Sequence, residues 1–101
     1  MLEKDWRGAF KDLESVEGYD GNQFGPNCWW MDSKVIEYLS KLEELGAEIE
    51  LNLEYWEGVR VHLPKVKGKC IDVLIFILTK EIAPNEVICS DDKRYLDLTW
   101  S

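Results

Sequence analysis

His62 is the only histidine in the chain, so acid–base chemistry near neutral pH has one obvious candidate. It lies between Val61 and Leu63 in an alternating run, with no nucleophile beside it in sequence. That placement reads as a strand-face histidine with a structural or solvent role. Cys89 stands next to Ser90, Asp91 and Asp92. A nucleophilic thiol needs positive surroundings to lower its pKa, and two aspartates do the reverse. Cys28, Cys70 and Cys89 are widely separated, odd in number and without a CxxC pair, so they read as buried free thiols in a reducing compartment. The run "DGNQFG" places Asp20, Asn22 and Gly25 at the first, third and sixth positions of a calcium loop. Phe24 and Met31 then occupy positions that need oxygen ligands, and the motif fails. No enzyme activity, metal or cofactor is expected.

Carboxylates carry the stronger signal. Glu48, Glu50 and Glu54 fall on one face of an alternating run, with neighbours two apart separated by roughly 6.6 Å of strand rise. Glu43 and Glu44 fall in the last turn of a helix, where the dipole disfavours anions. Like charges so placed break local rules, which marks a candidate binding surface; edge-strand protection by charge is the competing reading. Residues 1–57 hold 14 acids against 5 bases, a balance of −9, whereas residues 58–101 hold 6 acids against 7 bases, a balance of +1. The acidic half repels nucleic acid and anionic membranes and attracts basic partners.

The stretch "YDGNQFGPNCWWMD" combines loop residues with four large aromatics. Trp29 and Trp30 are adjacent and cannot share one environment, so one is expected to anchor the loop in the core. The other leaves an aromatic edge near Tyr19, Asp20 and Phe24. The segment Phe24 to Asn27, ahead of an acidic helix, loosely resembles the (Tyr/Phe)-Gly-x-Asn segment of barstar. That likeness covers four residues, and the later hairpins do not suit that family's parallel sheet.

These groups must be positioned by a small number of elements. Leu2, Trp6, Phe10 and Leu13 recur at helical spacing, ahead of a stop at Gly18. A second helix is predicted from Asp32 to Leu45, with Asp32 or Ser33 as cap and Gly46 as terminator. Its buried stripe is Val35, Ile36, Leu39, Leu42 and Leu45. The period then changes to two: Ile49, Leu51, Leu53 and Tyr55 alternate with acids, and Val59, Val61 and Leu63 alternate with Arg60 and His62. A three-residue loop, Trp56 to Gly58, sets Tyr55 opposite Val59, Leu53 opposite Val61 and Glu54 opposite Arg60, with Trp56 at the tip. "CIDVLIFILT" is rich in β-branched residues and apolar on both faces after Asp72, so it reads as a central strand; a helix over residues 70–82, a stretch without Gly or Pro, is the main rival. A loop over Lys67 to Lys69 sets Leu63 against Val73. "VIC" and "YLDLTW" form a last hairpin.

The expected fold is α+β: two N-terminal helices packed on one face of a mostly antiparallel sheet of about five strands, in a single domain over 1–101. No stretch is long and apolar enough to cross a membrane, and the N-terminus lacks a secretory h-region, so a cytoplasmic location is expected. The function that fits is a small acidic protein that binds a protein with a basic surface, as an inhibitor, immunity factor or nucleic-acid mimic. It would act through Glu48, Glu50, Glu54, Trp56, Glu43, Glu44, Tyr19, Asp20 and Phe24. The alternative is a small-molecule binding module that uses the aromatic loop 19–32 as a pocket wall.

Overall fold

A two-residue edge strand comes first. In the computed structural model, which describes residues 2–19, 21, 32–52 and 58–100, the order is β1 (Leu2–Glu3), α1 (Trp6–Leu13), α2 (Asp32–Glu44), β2 (Glu48–Asn52), β3 (Gly58–His62), α3 (Lys67–Thr79), β4 (Glu86–Cys89) and β5 (Tyr95–Thr99). The strands form one antiparallel sheet in the order β1-β2-β3-β5-β4. The class is therefore α+β. The helices are not confined to the N-terminus: β1 precedes α1, and α3 lies between β3 and β4.

Leu2 leaves the expected first helix and joins β1, because Asp5 starts the helix three residues later. The Asp5 carboxylate accepts from the Gly8 N–H at 3.1 Å, and a Cβ at position 8 would collide with that carboxylate. Gly8 thus costs helix propensity and permits the cap. Trp6 and Phe10 are buried and meet edge to face, with ring centroids 6.3 Å apart.

α2 follows its periodicity closely. Val35, Leu39 and Leu42 are fully buried, with Ile36 and Leu45 packed half-buried beside them. Its end is a Schellman motif: Ala47 N–H donates to Leu42 O at 3.1 Å and Gly46 N–H to Glu43 O at 2.9 Å, with Gly46 at φ +104°. α1 and α3 flank α2 on opposite sides. Ser40 and Glu43 face α1 through Arg7 and Trp6, whereas the Tyr38 ring meets Phe76 of α3 at 5.0 Å and its hydroxyl donates to Ile77 O.

The sheet presents Ile49, Leu51, Val59, Val61, Leu96 and Leu98 to the helices, all buried. The expected faces hold, but the hairpin register does not. Val59 lies opposite Leu51, Arg60 opposite Glu50 and Val61 opposite Ile49, four residues back from the expected Tyr55, Glu54 and Leu53. An even slip returns every side chain to its own face, so alternation cannot detect it. Residues 53–57, with the expected loop tip at Trp56, lie outside the described residues.

The larger correction is α3. Residues 67–79 are a helix, not a central strand set against Leu63. Its β-branched residues disfavour a helix by only a few tenths of a kcal/mol each. Burial of Val73 and Ile77, about 1.5–3 kcal/mol apiece, outweighs that. The sheet position next to β3 is taken by β5, whose Leu96 and Leu98 pair with Val61 and Val59. The run looked apolar on both faces because Ile71, Ile75 and Leu78 are exposed on the helix.

The last hairpin forms as expected. Ser90 organises its turn: the hydroxyl accepts from Arg94 and Tyr95 N–H at 3.0 and 3.1 Å and donates to Asp92 at 2.7 Å. Asp92 is thereby held below its ordinary carboxylate pKa, first by Ser90 and then by the Arg94 N–H.

Candidate functional site

The sheet face turned away from the helices brings together two part-buried ion pairs, Arg60 with Asp97 and His62 with Glu50. Glu48 and Glu50 come from β2, Arg60 and His62 from β3, and Tyr95 and Asp97 from β5, all at positions that alternate with the buried leucines, isoleucines and valines. Strand pairing makes them neighbours. His62 Nε2 lies 2.7 Å from a Glu50 carboxylate oxygen, and the Glu50 side chain is only 13% exposed. Arg60 grips Asp97 with two bonds of 2.8 and 3.1 Å, and its guanidinium sits 3.9 Å from the centre of the Tyr95 ring. The hydrogen bond to Asp97 raises the Arg60 pKa, with Coulombic help from Asp97, Tyr95 and Glu50, so the cation is held more firmly. The face is therefore an internally matched network, not a row of anions.

That pairing corrects the expected ladder. Glu50 is spent on His62, and Glu48 alone of the described pair remains exposed. Glu43 is also engaged: its carboxylate accepts from Trp6 Nε1 at 3.1 Å and pairs with Arg7 at 2.6 Å. The rule it appeared to break, an anion at a helix C-terminus, is answered by a cation from α1. Glu44 stays exposed, 3.3 Å from Lys41 in a solvated pair, which contributes about 0–1 kcal/mol. Tyr19 is half-buried and donates its hydroxyl to the buried carboxylate of Asp32, while Asp32 N–H donates to Gly21 O at 2.7 Å. These bonds close the base of the loop, so Tyr19 is a fastening more than a docking group. Asp20, Phe24, Trp29, Trp30, Glu54 and Trp56 lie outside the described residues.

What remains open is the corner between α2 and β2, where Glu44 and Glu48 are exposed on either side of the Gly46 turn, with Glu37 exposed on the solvent side of α2. Beside it runs a groove of about 470 Å³ between α2 and the end of α3. Ile36, Tyr38, Phe76 and Ile82 line its apolar part, and Lys34, Glu37, Lys41, Glu44 and Lys80 its charged part.

His62 has a carboxylate partner that the sequence reading missed. The signal was present in the alternation, but it becomes visible only in the register that places Glu48 opposite His62 and Glu50 one step diagonal to it. The cysteine expectation also changes: Cys89 is exposed and Cys70 half-buried, both as free thiols, because β4 is a sheet edge and Cys70 lies in the first turn of α3. Among the described residues no group of three or more His, Cys, Asp or Glu could hold a metal ion, and no helix is long and apolar enough to cross a membrane. No protein-family model matches the chain, and no curated protein or solved structure is significantly similar to it.

Proposed function

We propose that this chain is a protein-binding protein, an inhibitor, immunity factor or nucleic-acid mimic in its mode of action, whose partner presents a basic surface. The observation that carries the reading is a division among the carboxylates. Glu43, Glu50 and Asp97 are held by Arg7, His62 and Arg60 of neighbouring elements, whereas Glu37 and Glu44 make only exposed pairs with Lys34 and Lys41 of their own helix, and Glu48 is exposed beyond the Gly46 turn. The corner belongs to the half of the sequence, residues 1–57, with a charge balance of −9. Such a field speeds encounter with a cationic patch, and the corner's turn holds the anions on two rigid elements.

The test uses the chain immobilised at low and high salt, with captured proteins identified and their rate constants measured. The combined charge reversal Glu44→Lys and Glu48→Lys should slow association about tenfold at low salt and leave folding intact, since both side chains are exposed. A partner that is not basic, or whose binding ignores both salt and the reversal, removes the corner from the site.

The groove between α2 and α3 favours a second reading, a small-molecule site. Its volume of about 470 Å³ falls within the usual range for ligand pockets, and its walls are partly aromatic. Phe76→Ala would abolish ligand binding there and leave capture of a basic protein unchanged.

A further inference from the structure

In a chain of net charge −8, the groove between α2 and the end of α3 is lined by more bases than acids: Lys34, Lys41 and Lys80 against Glu37 and Glu44. Both acids already have partners. Glu37 lies 3.8 Å from Lys34 and Glu44 lies 3.3 Å from Lys41, each pair one turn apart on α2. Lys80 is different. It is exposed, and no carboxylate among the described residues forms an ion pair with it. Its ammonium stands 5.3 Å from the centre of the Phe76 ring, within the range of a cation–π contact. The wall beneath is aromatic and aliphatic. Phe76 meets Tyr38 at 5.0 Å with the rings tilted by 32°, and the Tyr38 hydroxyl is occupied by Ile77 O. Ile82 is buried beside them.

We infer that the groove takes a small aromatic oxyanion, a flat ring system carrying one carboxylate or similar group, an inference that rests on the groove being a small-molecule site. Charge complementarity decides the sign. An anion meets Lys80 without competition and adds to a lining that carries one excess positive charge. A cation would have to displace Lys80 from the Phe76 ring and compete with Lys34 and Lys41 for Glu37 and Glu44. The aromatic part follows from the wall, since flat rings pack offset or edge to face against Phe76 and Tyr38. The volume of about 470 Å³ lies in the lower part of the range for ligand pockets, which suits one or two rings better than a large cofactor. One effect works against an anion: the last carbonyls of α3 carry the negative end of the helix dipole. Phe76 O and Ile77 O are already taken by the Lys80 N–H and the Tyr38 hydroxyl, which reduces that opposition.

The full chain is titrated at low salt with naphthoate and with its neutral isostere naphthamide, up to millimolar probe, and followed by amide NMR shifts. The shifts should map to Lys34, Tyr38, Phe76 and Lys80. Naphthoate should bind about fivefold more tightly than naphthamide, the upper end of what one solvated ion pair contributes, and added salt should narrow the difference. Lys80→Gln should bring the two probes within about twofold of each other, with the circular dichroism of the folded chain retained because Lys80 is exposed. A role for Lys80 confined to the end of α3 would change stability and leave the ratio between the probes unmoved. Phe76→Ala should abolish binding of both. Equal affinity for the two probes, or a preference for naphthoate that survives Lys80→Gln, overturns the anion inference and leaves the groove a small-molecule site. No shifts in the groove with either probe, or binding indifferent to Phe76→Ala, overturns the small-molecule reading and this inference with it.

Discussion

Replacing Glu50 with Ala, and separately Glu48 with Ala, tests whether the open sheet face is structural or free. The two sites make a matched pair. They lie on the same strand and the same face, two residues apart, and undergo the same chemical change, so propensity and chain-entropy effects largely cancel. They differ in contacts. Glu48 is exposed, whereas the Glu50 side chain is 13% exposed and bonded to His62 at 2.7 Å. A hydrogen bond to a charged group contributes about 1.5–3 kcal/mol. Since the His62 side chain is 34% exposed, water replaces part of it, and the lower end applies. Glu50→Ala should therefore be less stable than Glu48→Ala by about 1.5 kcal/mol, a difference in Tm on the order of 10 °C for a chain of this size. Urea unfolding followed by tryptophan fluorescence at neutral pH measures it. In the cycle with His62→Ala, the coupling between Glu50 and His62 should be about 1 kcal/mol, and between Glu48 and His62 near zero. Equal stabilities for Glu48→Ala and Glu50→Ala, or no coupling to His62, would refute the division between part-buried, bonded carboxylates and solvated ones on which the proposed docking corner rests.

Gly46→Ala should cost about 1–2 kcal/mol in the same assay, because φ is +104° and the new Cβ would stand 3.4 Å from Pro64 Cβ. Gly18→Ala, at φ +84° with open space around it, isolates the backbone component and should cost less. Burial raises the Tyr38 phenol above its ordinary value of 10.0. The folded state thus binds that proton more tightly than the unfolded chain. Its contribution is complete below the unfolded value and is lost as pH rises above about 10, at up to about 1.4 kcal/mol per pH unit. Alkaline unfolding should show this slope in the wild type and lack that component in Tyr38→Phe.

The sequence by itself determined the elements whose signal is local. α2 was legible from end to end, since a 3.6-residue apolar stripe and a glycine at the turn need only neighbours a few residues away. The faces of β2 and β3, and the β4–β5 hairpin, were legible for the same reason. Other features depended on what sat opposite. The register of β2 on β3 differs from the expected one by four residues, and an even slip leaves the alternation unchanged, so pairing with β1 and β5 had to fix it. With that register came the Glu50–His62 contact, which turned an expected anion row into a matched network. For α3, the chain carried nearly balanced helix and strand preferences. Tertiary structure decided in favour of the helix, because β5 fills the place beside β3 while Val73 and Ile77 complete the core under α2. The apolar residues left over on that helix, Ile71, Ile75 and Leu78, are what disguised it as a buried strand. A linear pattern records that a side chain is apolar; only the packed structure decides whether it meets the core or solvent.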